Sequence, residues 1–323
     1  MFVPFLSAPS LERRALRERA GGRGGSGGGN GGSGSTGDGT SGGLDGETDG
    51  GLDGGTNGGL GSSGSGLGSG TSGSSTDPPN TSQTILIGGT SRQASTTGSG
   101  SKVVSVIPAD QLFGGRSMGG GTRDAVYGTR HVDLLRTYGS GYPGEATPGT
   151  EGRGFPFFFW PVTFGSRSGI SRFVNSDKEY DSAMNNSRPG GALHTAIFHS
   201  LNVTSSAFSL LSDLATVKSI VPSVLDRCGS LLNNTLPATV VQRNDTDPSS
   251  IDSPQPEQVV QYYRASSFAL AITGYNNSAV FLDTGDAGDT LDTPLPETTD
   301  RDLLRCLDTT IGSRVLLIDD SGV

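Results

Sequence analysis

The chain has 323 residues, a net charge of −9 and an isoelectric point near 4.8. Only 32% of the residues are hydrophobic and 17% are charged, whereas 53 are glycine, so the composition predicts a folded part shorter than the chain. The acidic balance argues against a nucleic-acid partner, because phosphate binding depends on clustered Lys and Arg side chains.

Residues 1–20 are interpreted as a possible remnant of a signal or pro-segment. The apolar residues 1–6 are fewer than the core of about 7 to 15 residues that a secretory signal needs, and no basic residue precedes them. Arg13 and Arg14 form a dibasic site of the kind that secretory proteases cleave. Proteolytic processing there and an ordinary charged terminus both fit this pattern.

Residues 21–81 are predicted to be a disordered Gly/Ser-rich linker. Residues 21–76 contain 27 of the glycines and no aromatic residue, so they cannot bury enough apolar surface to offset the entropy of ordering. An eight-residue unit at 42–49 recurs at 50–57 and has decayed in a third copy from Gly58. Its period does not match a calcium-binding roll, so a flexible spacer is the favoured interpretation.

Residues 82–165 are predicted to be an irregular Gly/Tyr/Arg/Pro-rich segment with short strands. The β-prone runs are residues 84–87 and 103–107. From Phe113 to Val162 neither a helical nor a strand period is present. The aromatic run at 155–160 favours a core or interface element over a ligand cage.

The order of motifs in this segment resembles a family of uncharacterised secreted or single-span proteins from basidiomycete fungi. The motifs are Gly-Gly-Arg, Gly-Gly-Gly-Thr-Arg, Tyr-Gly-Ser-Gly-Tyr-Pro-Gly and Gly-Arg-Gly-Phe-Pro, and a second block follows at 256–267 and 274–277. The likeness covers about residues 110–320. It implies no known activity, and it implies that relatives commonly continue into a membrane span, which this chain lacks.

Residues 166–323 are predicted to form a small, mainly α (α+β) domain of about three helices with one disulfide, after a mostly disordered N-terminal half. Apolar spacing predicts a first helix over 214–232 that Pro222 kinks or restarts, and a second that begins at Pro256 and closes near Gly274. A third helix is predicted over 300–311, with Thr299 as its cap and Gly312 as its stop. A strand over 315–318 is expected to follow it.

Two cysteines and six glycosylation sequons indicate an oxidising compartment. Cys228 and Cys306 lie on the first and third predicted helices and are expected to form a disulfide. The sequons involve six of the 12 asparagines, against about three expected from the Ser and Thr content. The predicted glycosylation sites are Asn80, Asn185, Asn202, Asn233, Asn244 and Asn276.

The motifs that resemble catalytic or metal sites are incomplete. Asp283-Thr284-Gly285 follows an apolar run as in aspartic proteases, but those enzymes need two such carboxylates, and a turn explains the string better. Four aspartates recur every third residue from Asp283 without the order of an EF-hand. His131, His194 and His199 have no metal-ligand spacing. No catalytic, cofactor or metal residue is therefore assigned.

The sequence as a whole favours a non-enzymatic extracellular or cell-surface glycoprotein. Its expected partners are cell-wall or surface components, without nucleic acid, and no membrane span is found in this chain. Membrane anchoring in longer relatives is the alternative localisation. The alternative functions are a secreted enzyme of unrecognised type and an RNA-binding Gly/Arg-rich protein, the latter from the single Arg-Gly box at Arg23.

Overall fold

The computed structural model describes residues 80–128, 141–145, 149–165, 177–244, 250, 252–281 and 293–320. These residues form ten strands in three sheets and three helices. The prediction of a small, mainly α domain is therefore wrong, because the described part of the chain is mostly β. The predicted linker up to residue 79, as well as Arg13 and Arg14, lies outside the described residues.

The elements follow one another along the chain in short segments. The strands are β1 Ser82–Ile87, β2 Thr90–Ser95, β3 Val104–Val106, β4 Ser117–Gly119, β5 Leu193–His199, β6 Ala207–Asp213, β7 Val240–Gln242, β8 Val259–Tyr263, β9 Phe268–Ile272 and β10 Leu317–Ile318. The helices are α1 Asp177–Tyr180, α2 Leu214–Cys228 and α3 Arg301–Arg314.

The largest sheet has five strands in the order β7-β5-β6-β9-β8, and every neighbouring pair is antiparallel. In β9 the large side chains of Phe268, Leu270 and Ile272 share one hydrophobic cluster with α2 and α3. Ala269 and Ala271 belong to a second cluster on the opposite face. The sheet is therefore covered on both faces.

This double burial explains why the second predicted helix is wrong. Residues 256–258 form a single 3-10 turn, and β8 and β9 form an antiparallel hairpin where a helix was expected. All ten residues of these two strands are buried. A strand that is buried on both faces has no alternation of polar and apolar residues, so its sequence does not show the period of two.

The first and third predicted helices are confirmed as α2 and α3, although their details differ. Helix α2 continues through Pro222 without restarting, because Val217, Ile220 and Val224 on the same helix are fully buried in the core and offset the lost hydrogen bond. The cap of α3 is Asp300 rather than Thr299, and its carboxylate accepts from the backbone N–H of Leu303 at 3.0 Å.

The expected stop at Gly312 is also wrong, since α3 runs on to Arg314. A side chain at Gly312 would collide with the hydroxyl of Tyr127, which packs directly against the helix there. Glycine at this position therefore permits a close approach instead of ending the helix.

The predicted disulfide is present between Cys228 of α2 and Cys306 of α3, with 5.9 Å between the Cα atoms. Cys228 is fully buried in the main core and Cys306 is partly buried. The bond therefore joins the two helices that cover one face of the large sheet.

Residues 82–165 pack into the same structure as the C-terminal residues. Strand β2 pairs with β1 on one side and with β10 on the other. The aromatic segment, residues 155–164, contributes side chains to all four hydrophobic clusters of the described chain. Its phenylalanines are at most 4% exposed, which agrees with the interpretation of this run as a core element.

A buried ion pair links the aromatic segment to the large sheet, to the start of α2 and to the residue before β10. Arg264, in the turn between β8 and β9, is fully buried and donates to the carboxylate of Asp213 at 2.7 Å. Its guanidinium also donates to the carbonyl of Leu316 at 2.7 Å and to the hydroxyl of Thr216 at 2.9 Å. The same group lies 3.5 Å from the ring centre of Phe159.

Asp213 has two structural roles, one for each carboxylate oxygen. Oδ2 accepts from Arg264, and Oδ1 accepts from the backbone N–H of Thr216 at 2.9 Å as the N-cap of α2. Burial lowers the pKa of Arg264 and the charge of Asp213 opposes that shift. One carboxylate thus fixes both the start of α2 and the position of the buried cation.

We expect the double substitution Cys228→Ala and Cys306→Ala to lower the free energy of unfolding by about 4 kcal/mol, since the bond closes a loop of 78 residues. Urea titrations followed by circular dichroism would measure the loss. A reductant should bring the wild-type protein to the same stability and leave the variant unchanged. Equal unfolding midpoints for both proteins without reductant would contradict a stabilising role for this bond.

We expect Asp213→Asn to cost about 3 to 5 kcal/mol, because it leaves the Arg264 charge buried without its counter-ion while asparagine can still cap α2. The matched control is Asp302→Asn, which removes an exposed pair with Arg305 and should cost less than about 1 kcal/mol. Urea unfolding curves measure both. Equal losses of unfolding free energy in the two variants would show that the buried pair stabilises the fold no more than the exposed pair does.

Candidate functional site

Four segments of the described chain surround a cleft of about 580 Å³. It opens between the β1–β2 turn, the β3–β4 loop, residues 186–189 and the aromatic segment. Its lining residues are Leu86, Ile87, Gly88, Gly89, Ile107, Gln111, Leu112, Phe113, Met118, Phe155, Phe158, Trp160, Asn186, Ser187 and Pro189. We call the cavity lined by these residues the cleft.

The β1–β2 turn forms one edge of the cleft because the hairpin is very tight. Ile87 pairs with Thr90, so only Gly88 and Gly89 connect the two strands, with φ values of 54° and 81°. Two successive left-handed residues are the geometry of a type I′ turn, which glycine adopts without strain. A Cβ atom at Gly88 would lie 3.1 Å from Oε1 of Gln111, so the turn contacts the opposite edge closely.

The β3–β4 loop forms that opposite edge and is closed by its own backbone hydrogen bonds. The N–H of Gln111 donates to the carbonyl of Pro108 at 3.0 Å, and the N–H of Gly115 donates to that of Ile107 at 2.9 Å. Phe113 lies at the end of this loop with a φ of 65°. Such a backbone conformation is unfavourable for an aromatic residue, and here it directs the Phe113 ring into the cleft.

The wall of the cleft is a cluster of aromatic rings. The ring of Phe113 lies 4.9 Å from that of Phe155, 5.0 Å from that of Trp160 and 5.9 Å from that of Tyr180, centre to centre. The Phe113–Trp160 pair is edge-to-face, at 82°. These separations are favourable for aromatic pairs, so the rings hold one another in place.

An arginine lies behind each of three cleft rings. The guanidinium of Arg116 is 5.1 Å from the ring centre of Phe113. Arg188 lies 5.5 Å from the ring of Trp160, and Arg92 lies 4.8 Å from the ring of Phe158. These are cation–π distances, so the charges lie against the rings while the cleft surface itself stays uncharged.

Hydrogen bonds fix two of these arginines. Arg116 forms an ion pair with Glu179 at 2.7 Å. Arg188 is buried and donates to the carbonyl of Tyr180 at 2.7 Å and to that of Pro161. Since Pro161 follows Trp160 directly, Arg188 holds both the backbone and the ring of this part of the wall.

Buried tyrosines pack behind the wall and have raised pKa values. Burial and then the charge of Glu179 raise the pKa of Tyr180 from its usual value of 10.0 to about 12. Burial, followed by the influence of Tyr180, raises the pKa of Tyr142 well above its usual value. Tyr263 in the main core behaves likewise, through burial and then its bond to Asp308. All three resist ionisation in the folded state.

The described lining residues of the cleft include no side chain that titrates near neutral pH and could transfer a proton. These comprise aliphatic and aromatic side chains, two glycines, one proline and the polar side chains of Gln111, Asn186 and Ser187. General acid–base catalysis needs a titratable group within hydrogen-bond reach of the substrate. The chemistry of the cleft is therefore that of apolar contact with a few hydrogen bonds.

The six predicted glycosylation sites all reach the surface. Asn80, Asn202, Asn244 and Asn276 are exposed, and Asn185 and Asn233 are partly exposed. By contrast, the non-sequon residue Asn277 is fully buried. Asn185 adjoins the cleft, since the next two residues of its sequon are Asn186 and Ser187 in the lining.

The structure does not bring the other sequence candidates into one site. His194 and His199 lie five positions apart on β5, which places them on opposite faces of the strand. In the apolar run before Asp283, Val280 and Phe281 belong to a 3-10 turn, Ser278–Phe281. Asp283, the aspartates that follow it and His131 lie outside the described residues. Within the part of the chain that is described, no group of acidic, His or Cys side chains is arranged to hold a metal ion.

The cleft was not predicted as a site, although the aromatic run in its wall stands out in the sequence. Leu86, Leu112 and Pro189 come from three distant segments that only the fold brings together. One local signal was available: Gly88-Gly89 between two β-prone runs is typical of a two-residue hairpin, which would have located the first edge.

We expect Tyr142, Tyr180 and Tyr263 to stay protonated near pH 10 in the folded protein, so that phenolate absorbance reports fewer than the seven tyrosines. A raised folded-state pKa stabilises the fold below pH 10, and for Tyr180 this contribution is lost as the pH rises from 10.0 to about 12. Tyr180→Phe should make the alkaline loss of stability shallower. Ionisation of all seven near pH 10 without unfolding would contradict the buried positions.

Comparisons of the chain with models of protein families, with curated proteins and with solved structures find no match. Among the described residues, no helix has the length and apolar character needed to cross a membrane.

Proposed function

We propose that this protein is a non-enzymatic extracellular or cell-surface glycoprotein that acts by binding. The observation that carries the proposal is the accessibility of all six sequon asparagines on a fold that also contains a disulfide. A glycan is bulky and polar, so it can be carried only where the asparagine reaches solvent. Each of the six positions meets that requirement.

The geometry of one sequon illustrates this accessibility. The hydroxyl of Thr235 donates to Oδ1 of Asn233 at 2.7 Å, and the backbone N–H of Thr235 donates to the same oxygen at 3.1 Å. Oδ1 of Asn233 accepts both bonds, its side-chain nitrogen has no hydrogen-bond partner among the described residues, and the residue is partly exposed to solvent. The nitrogen is the atom to which a glycan is attached.

The disulfide also supports a location in the secretory pathway or outside the cell. Disulfides persist in oxidising environments such as the secretory pathway and the cell exterior, and they are rare where thiols are kept reduced. Since both cysteines of the chain are used in the bond, no free thiol remains for redox or metal chemistry.

The cleft supports binding over catalysis. Its described lining has no charged side chain, and the two described histidines lie on opposite faces of β5 instead of converging on it. A secreted enzyme would need a cluster of titratable groups in a cleft. The RNA-binding alternative depends on Arg23, which lies outside the described residues, and the net charge of −9 argues against it. Wall or surface components remain the proposed partners.

Expression in a eukaryotic secretory host should give a heterogeneous protein that endoglycosidase treatment converts to a single mass near 33.0 kDa for the full chain. Asn233→Gln should remove one glycan. Asn234→Gln is the matched control, because it changes a neighbouring exposed asparagine and preserves the Asn233 sequon. Mass spectrometry of intact protein and of tryptic peptides measures occupancy. A secreted protein whose mass does not change on enzyme treatment would refute glycosylation.

A further inference from the structure

We propose that the cleft is a preformed binding site for a neutral, mainly hydrocarbon small molecule that carries a ring system and a hydroxyl or carbonyl group. This inference goes beyond the glycoprotein proposal and does not depend on it, because the cleft residues are the same whether or not glycans are attached.

The size of the cleft fits a small molecule. Ligand pockets typically enclose about 300 to 1,000 Å³, and this cleft encloses about 580 Å³. It is formed by four segments that are far apart in sequence, so its walls surround a ligand on several sides. A flat protein partner would bury the edges and leave this depth unfilled.

The lining specifies an apolar and uncharged ligand. Ile107, Met118 and Phe155 are aliphatic or aromatic, and the nearby arginines lie against rings or backbone carbonyls instead of pointing into the cavity. A charged ligand would lose its hydration without gaining a counter-ion. A sugar would need more hydrogen-bonding side chains than the three that line the cleft.

Two polar side chains can orient such a ligand. Gln111 and Asn186 are exposed at the edge of the cleft, and their side-chain amides make no hydrogen bond within the described chain. Each can donate to or accept from one hydroxyl or carbonyl group. The ligand would therefore place its hydrocarbon part against the rings and its polar group at the edge.

The backbone strain at two cleft phenylalanines is a separate observation that points to a ligand. Phe113 and Phe158 have φ values of 65° and 71°, in the left-handed region that favours glycine. Both rings line the same cleft although their positions are 45 residues apart. Strained residues of this kind cluster at ligand clamps, where the surrounding structure holds a side chain in a required direction.

The edges of the cleft are exposed leucines. Leu86 is 61% exposed and Leu112 is 59% exposed, on the β1–β2 and β3–β4 sides respectively. These two leucines continue the apolar surface of the cleft lining out to the solvent-exposed rim. A hydrocarbon ligand would bury both, which gives a reason for their exposure in the free protein.

The test uses Trp160, the single tryptophan of the chain, as the reporter, because its ring lies in the cleft wall. N-phenylnaphthylamine, a neutral apolar fluorophore, is titrated into the full-length secreted protein before and after removal of glycans. We expect energy transfer from Trp160 to the bound probe with a dissociation constant of about 10 μM or tighter. Dodecanol should displace the probe and chitotetraose should not.

The paired variant carries Leu86→Gln and Leu112→Gln, which lie at exposed positions and should not affect folding. We expect it to weaken probe binding about tenfold. The matched control carries Leu201→Gln and Leu236→Gln, at leucines that are 53% and 49% exposed and do not line the cleft, and it should bind as the wild type does.

Three outcomes would overturn the proposal: no energy transfer from Trp160, equal weakening in both paired variants, or a change of Trp160 fluorescence with chitotetraose but not with the apolar probe. Binding that is identical before and after removal of glycans would support the site independently of glycosylation. Failure to find any glycan would leave this test unaffected.

Discussion

The ion pair between Arg264 and Asp213 is the interaction on which the arrangement of the fold depends. A buried charge is stable only when it is paired and hydrogen-bonded, and Arg264 contacts one carboxylate, several hydroxyls and the carbonyl of Leu316. These partners belong to the end of β6, the start of α2, the β8–β9 turn and the residue before β10. Four elements therefore meet at one guanidinium, so a shift of any of them would break a buried hydrogen bond to this charge.

The cleft is connected to this ion pair through the aromatic segment. Phe159 lies against the guanidinium of Arg264 at 3.5 Å, whereas its neighbours Phe158 and Trp160 line the cleft. The N–H of Val162 donates to the carbonyl of Ser266 in the same turn at 2.7 Å. The segment is thus held at its centre, and the strained backbone of Phe158 is maintained by that attachment. The aromatic wall of the proposed ligand site is therefore anchored in the core, whereas its edges are a turn and a loop.

The sequence was informative where local physics determines the outcome. The spacing of Leu303, Leu307 and Ile311 predicted α3, and the cysteine pair predicted the disulfide. The sequence was misleading where contacts between distant parts of the chain determine the structure. Strands β8 and β9 show no alternation because both faces are buried. Arginine is rarely fully buried, and no pattern in the sequence marks Arg264 as an exception. The cleft could not be predicted, since it requires four distant segments to converge that share no pattern in the sequence.

The central claim is that the buried pair holds the aromatic segment so that the cleft is open before any ligand binds. A crystal structure of the ligand-free protein tests it most directly. The account predicts Arg264 within hydrogen-bond distance of Asp213 and the rings of Phe113, Phe158 and Trp160 facing an open cavity. A structure in which Leu86 and Leu112 close over the rings, or in which Arg264 points to solvent, would contradict it.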